Sequence, residues 1–342
     1  MPTRTVILTI VLVSCKLSAQ VEVDALTRLG STDHRTRHLA FQELRKSKTP
    51  DTLIGLSKVL PGYQYHSQNL GLSLVQGFGR DRGEPVLRGF LKGKPSYLRL
   101  GAAVQLYQWG DRSVDVHIAE CLRAKVIGLF DRGARIDSEA ELSGMLSRAF
   151  HINSQPVLSA VQGCLVPSAP VNVLDPALRM LQRFKVTAAI PRVEAVLKDP
   201  GLAAESRALC AAFLVGMGES SHSATCAEAI AEIKHLSRIV TLLRDAAYLD
   251  KVVLAAVLEF AEGKKGANVR HALELLARHN YRPAVPAIRE MLKSEDVETS
   301  KAAFHALMRI ADGLEVKQLR RLLTDSSDAV ALAAADALRR LD

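Results

Sequence analysis

Two histidines, five cysteines and a cluster of arginines and tyrosines are the residues here whose types could do chemistry. His34 and His38 stand four apart, a spacing that puts two imidazoles on one helix face and can hold a metal ion. No carboxylate or cysteine completes a ligand set nearby, so solvated histidines at a helix end are the plainer reading. Cys121 and Cys210 fall at apolar positions, as buried reduced thiols do. Cys210 and Cys226 are the pair placed to form a disulfide if the compartment oxidises. No Gly-x-Ser-x-Gly, glycine-rich phosphate loop or Cys-x-x-Cys is present. Carboxylates are scattered, so no acid/base pair and no catalytic residue can be nominated. Nothing implies a cofactor, a metal or a small-molecule substrate.

Charge is more informative. The chain has a net charge of +9. Residues 33–99 hold twelve Lys/Arg against five Asp/Glu, and the remainder is near neutral. Tyr63, Tyr65 and Tyr97 lie in this stretch, with Tyr107 and Trp109 just beyond. Arg and aromatic side chains dominate binding hot spots, and a basic patch speeds encounter with an anionic partner. The candidate binding residues are Arg35, Arg37, Arg80, Arg82, Tyr97, Arg99, Tyr107 and Trp109, with Gln68 on the same helices.

The elements that must position them repeat. A large apolar anchor recurs at Leu44, Val75, Leu106, Leu146, Leu181, Leu214, Leu243, Leu276, Leu307 and Leu338, with spacings of 29 to 40 residues, most often 31. A small residue stands four before most anchors (Ala40, Gly71, Ala102, Ala177, Cys210, Ala272, Ala303, Ala334); Leu142 and Ile239 are the exceptions. An apolar pair follows at plus 15 and 16, as in Val59-Leu60, Cys121-Leu122, Met291-Leu292 and Leu322-Leu323. Residues 177–198 align with 272–293 without a gap, Pro191 over Pro286. A small residue beside a large one makes a groove for a facing helix. One hairpin cannot bury its apolar face alone, so stacking is required. The expected fold is all-α, a solenoid of about nine antiparallel helical hairpins with a capping helix, Asp328–Leu341.

This pattern resembles HEAT repeats, particularly the short bacterial subtype similar to phycobilisome-lyase repeats, over roughly residues 33–342. The resemblance implies an interaction scaffold, and that the Arg seven before an anchor (Arg37, Arg99, Arg207) joins a structural ladder with cap aspartates. It also implies that the second helix of each pair lines the concave side. The metal-binding HEAT hydroxylases are not matched, because the His-Glu pair is absent.

The chain divides by rhythm. Residues 21–110 carry a first helix and three regular, basic units, with Asp33, Asp51 and Ser96 where helix caps belong. Residues 111–176 diverge, with a long helix near Val116–Phe130, a polar loop at Asp131–Asp137 and three prolines in Val166–Pro176. Residues 177–342 return to regular units. Residues 1–14 stand apart: Arg4 precedes an apolar run, Thr5–Ser14, too short to span a bilayer and of signal-peptide length. Leu12-Val13-Ser14-Cys15 looks like a lipobox, in which Cys15 would be lipidated; cleavage after Ala19 is the alternative. The function expected is a non-enzymatic scaffold, exported and membrane-anchored, that binds a protein partner or an anionic membrane surface through its N-terminal repeats. The alternative is an enzyme or enzyme accessory on the same fold, bilin-lyase-like or DNA-glycosylase-like. No nucleic acid is expected as a partner, since an exported protein does not meet the chromosome.

Overall fold

The computed structural model describes residues 23–93, 96–131, 136–262 and 266–310, and a few positions between 320 and 338. Residues 1–14, read above as a signal segment, together with Cys15 and the expected capping helix Asp328–Leu341, lie outside the described residues, apart from isolated positions between 331 and 338. Among the described residues there is no strand. After a helical stretch at 23–29, the helices are α1 (His34–Ser47), α2 (Pro50–Val59), α3 (Tyr65–Gly77), α4 (Arg80–Phe90), α5 (Tyr97–Gln108), α6 (Asp115–Asp131), α7 (Ile136–Ala149) and α8 (Gln155–Gln162). Then come α9 (Val171–Arg183), α10 (Ile190–Leu197), α11 (Ala204–Gly216), α12 (Ser223–Glu232), α13 (Ser237–Arg244), α14 (Lys251–Glu262), α15 (Ala267–Arg278), α16 (Val285–Met291) and α17 (Val297–Ile310). The described part is thus eight hairpins and the first helix of a ninth, an all-α solenoid stack. It forms two compact units that divide between Gly163 and Cys164, inside the stretch where the sequence rhythm breaks.

Within each unit the odd-numbered helices pack on one another: α1 on α3, α3 on α5 and α5 on α7 in unit 1, and α9 through α17 in unit 2. The even helices form the other layer, α2 on α4, α6 on α8 and α12 on α14. Every anchor from Leu44 to Leu307 is at most 1% exposed, and full burial of a leucine is worth roughly 1.5–3 kcal/mol. The small residue four before an anchor is needed for close approach: a Cβ at Gly71 would lie 2.2 Å from the Leu60 side chain. Leu142 and Ile239, the two large residues at that position, are buried as well. Leu323 departs from the expected apolar pair; it is 41% exposed.

The anchor also sets the turn. Among the described residues eight have positive φ, and six of these stand four after an anchor: Lys48, Gly79, Gly110, Lys185, Gly218 and Asn280. At four of them, Gly110, Lys185, Gly218 and Asn280, the turn is a full Schellman cap. There the anchor carbonyl accepts from the N–H five residues on, as in Asp111 to Leu106, Val186 to Leu181, Glu219 to Leu214 and Tyr281 to Leu276. A 3-10 turn follows each cap, and the second helix then starts nine residues after the anchor, at Asp115, Ile190, Ser223 and Val285. Pro191 and Pro286 fall in its first turn, where a missing N–H is harmless.

Two local expectations are corrected. Thr49, not Asp51, caps α2: its hydroxyl accepts from Thr52 N–H while Asp51 sits inside the first turn. Asp33 and Ser96 cap as expected, accepting from Thr36 and Arg99 N–H. Ile136 and Asp137, read as loop, already belong to α7. In the proline-rich stretch α9 starts at Val171 and runs through Pro176.

Candidate functional site

The eight residues singled out from sequence separate into two groups. Arg37, Tyr97, Arg99 and Tyr107 are buried, each at most 8% exposed, and so do not form the open face expected of them. Arg37 curls back onto the loop before its helix, donating to the Ser31 and Thr32 carbonyls at 2.8 and 2.7 Å. Arg99 does the same to Gly93 O at 3.1 Å and reaches on to Glu120 and His117. Arg207 repeats the device in unit 2, donating to Leu202 O and Glu232. The arginine seven before an anchor is therefore structural, but its partners are loop carbonyls, joined at Arg99 and Arg207 by a later glutamate, rather than cap aspartates. A guanidinium offers five donors in a fixed fork, which suits several carbonyls at once.

Arg80 lies in an ion-pair network. It meets Glu84 at 3.1 Å and donates to Trp109 O, while Arg88 joins Glu84 to Asp111. Hydrogen bonds from Arg88 and Arg80 hold the Glu84 carboxyl below its ordinary value. Trp109 is half-buried, its ring edge 3.0 Å from where a Cβ on Gly83 would stand. Arg35 and Arg82 are exposed and form no ion pair among the described residues. Gln68 donates to the Tyr63 and Leu60 carbonyls and closes a turn.

The tyrosines do prepare a surface, through cations that the sequence reading did not name. Arg148 of α7 lies over the Tyr97 ring at 5.1 Å and donates through Nε to its hydroxyl. Arg112 lies over the Tyr107 ring at 3.9 Å, a cation–π arrangement. Tyr65 packs edge-on against Tyr97 with centroids 4.2 Å apart. Burial raises the Tyr97 phenol well above its ordinary value, and Arg148 pulls only partly the other way.

These residues border a groove on the odd-helix side of unit 1. A hollow of about 320 Å³ between α1 and α3 is lined by Phe41, Arg45, Lys48, Ser73 and Gln76. The next, also about 320 Å³, shares Ser73 and Gln76 and adds Gly101, Gln105, Gln108, Arg148 and His151. A third, about 470 Å³, shares His151 and adds Arg112, Asp115 and Asn153. Asp115 is the one carboxylate in this lining, and it accepts from the Ser154 hydroxyl. The signal that could have found the groove is a register: Arg45, Gln76, Tyr107 and Ser147 all follow an anchor by one.

The histidine pair and the cysteines lie apart from this groove. The His34 and His38 rings stack 6.2 Å apart, and no cluster of metal-ligand side chains exists among the described residues. Cys121, Cys164, Cys210 and Cys226 are buried and unbridged, so Cys210 and Cys226 do not form the disulfide their hairpin allowed. Burial pushes the thiols of Cys164, Cys210 and Cys226 up to about 12. No described helix is long and apolar enough to cross a membrane.

Residues 254–339 match the family model for HEAT repeats. Repeats of this kind generally serve as protein-interaction scaffolds. A crystal structure of an engineered protein aligns over 94% of this chain and 98% of its own, at 18% identity and a TM-score of 0.40. No curated protein matches the chain.

Proposed function

We propose that the protein is a non-enzymatic scaffold that binds a protein partner through the odd-helix groove of unit 1. The observation that carries this reading is the groove's chemistry: four uncompensated cationic side chains and four glutamines (Gln76, Gln105, Gln108 and Gln155) around a single, already bonded carboxylate. The short bacterial HEAT-like subtype, as in phycobilisome lyases, is part of the reading and rests on the 31-residue period. Export by residues 1–14 and lipidation of Cys15 complete it, placing the scaffold at a membrane. One acyl chain binds a bilayer only marginally, so exposed cations such as Arg35 and Arg82 would add to the hold.

Site-specific photo-cross-linking in the native cell tests the site. A photoreactive residue at Gln105 should give a discrete adduct that the same residue at Arg82 does not. Adducts at Arg82 alone, or at neither position, would overturn the groove as the interaction site. Cys15→Ala should release the protein from the membrane fraction, and unchanged fractionation would overturn the anchor.

A further inference from the structure

The three hollows form one path, because neighbours share Ser73 and Gln76 on one side and His151 on the other. The path crosses α1, α3, α5 and α7. Packed helices lie about 8–10 Å apart, so three intervals span roughly 24–30 Å, on the order of eight residues of extended chain.

Cations stand at both ends. Arg45 and Lys48 are at the α1 end, and Lys48 is held by its bond to Gly77 O at 3.0 Å. Arg148 and Arg112 are at the α7 end, each laid on a tyrosine ring. Between them Gln76, Gln105 and Gln108 present primary amides. Each amide offers a donor and an acceptor, the complement of a peptide group in extended chain. Gly101 lets the lining close up: a Cβ there would stand 2.3 Å from Leu72 and 3.2 Å from Arg148 Nη1.

We propose that this groove binds an extended acidic peptide of about eight residues, with its main chain on the glutamines and acidic side chains at its two ends. The proposal rests on the interaction reading above and names the partner's chemistry. The arginines at the α7 end are oriented in advance by the rings beneath them, which lowers the ordering cost of binding. Cations at both ends with primary amides between them match an extended chain with acidic ends better than a uniformly charged bilayer surface.

The test uses fluorescence anisotropy with the full chain and end-labelled synthetic octapeptides: glycine and serine flanked by Asp/Glu at both ends, and the same peptide with Asn/Gln. The acidic peptide should bind at least about tenfold more tightly than its amide counterpart. Arg45→Glu with Arg112→Glu, both exposed in the native protein, should weaken it by about tenfold or more, less so at high salt. Gln76→Ala with Gln108→Ala should weaken it by a similar factor at low and high salt. Arg35→Glu with Arg82→Glu should leave affinity unchanged; circular dichroism melts check that each variant is folded, and Arg45→Glu alone serves if the double variant is not. No binding by wild type, equal binding of the amide peptide, or equal loss from the Arg35/Arg82 pair would overturn the proposal. So would vesicles of anionic phospholipid that bind through Arg45 and Arg112 when the peptide does not. A Gln105 cross-link without peptide binding would overturn this proposal and leave the scaffold standing; absence of both would overturn both.

Discussion

In unit 1 the odd helices present Arg45, Gln76, Gln105 and Arg148 to a groove whose single carboxylate is already bonded. In unit 2 the corresponding side of α15 and α17 encloses a hollow of about 440 Å³ in which Glu274 and Glu298 stand among Arg270, Lys301 and Arg309. Lys301 approaches Glu298 at 3.5 Å. One surface therefore compensates much of its charge internally and the other leaves it for a partner. The HEAT match covers 254–339, in unit 2, so the stretch that matches the repeat model is not the stretch with the uncompensated groove. Core register and surface charge are set by different residues and can diverge independently.

The comparison breaks most visibly through the core. Leu106→Asp and Leu276→Asp each bury a carboxylate with no partner, at roughly 4 kcal/mol or more. Because stacked repeats are stabilised by neighbours, hydrogen exchange should show loss of protection in α3–α7 for the first and α13–α17 for the second. Equal loss over both units from either change would show one cooperative body.

The arginine device should count for more in unit 1. Arg99 is 8% exposed, and Arg99→Met removes its charge-assisted bonds to Gly93 O and Glu120, at about 2–3 kcal/mol. Arg207 has a more exposed side chain, 34%, so Arg207→Met should cost about 1 kcal/mol. Arg35→Met should stay within about 0.5 kcal/mol. Urea denaturation of the three ranks them, and equal losses for Arg99 and Arg35 would remove the distinction between buried and solvated arginines.

At the caps, Gly110→Ala and Gly218→Ala should each lose about 1–2 kcal/mol, because a Cβ is strained in the left-handed region. Lys185→Gly should gain up to about 1 kcal/mol by the same argument, reduced by the entropy of a more flexible unfolded chain. A destabilised Lys185→Gly would mean that side-chain contacts, not φ, set that position.

Acid gives the smallest difference. Hydrogen bonds lower Asp33, Glu84 and Asp111 in unit 1 and Asp296 in unit 2. A lowered carboxyl stabilises above its unfolded value, and this is lost as pH falls through the native one. Asp175 in unit 2 is raised by burial, against Arg179. Its penalty grows as pH rises from the unfolded value through the native one, so acidification relieves it. Between pH of about 6 and 3, unit 1 should lose more protection than unit 2, and Asp175→Asn should narrow the gap.

Much of this fold was legible because anchors obey one rule: Leu44, Leu181 and Leu276 are all buried at the same position of their hairpins. The turn positions four after the anchors were not read from the sequence: Gly79, Gly110 and Gly218 are the type that positive φ favours, but Lys48 and Lys185 share the place and lysine ordinarily avoids it. The site was harder. Arg37, Arg99, Tyr97 and Tyr107 were recognisable as functional types, yet charge and aromaticity do not report which face of a helix is covered. Arg148 stands over Tyr97 from 51 residues away, a pairing that only the stacking of α5 and α7 creates.

The caps have a consequence for how such a chain can change length. Anchor-to-anchor spacing varies from 29 to 40 residues, yet in four units, and again from Leu146 to Gln155, the second helix begins nine residues after the anchor. The first turn of every such hairpin is a ruler, and all slack accumulates past it, as in the 17-residue α6. A peptide tag or a whole domain spliced between Asp131 and Ile136 should therefore be carried without disturbing the count, while one extra residue between Leu181 and Ile190 would rotate every side chain of α10 by about 100°.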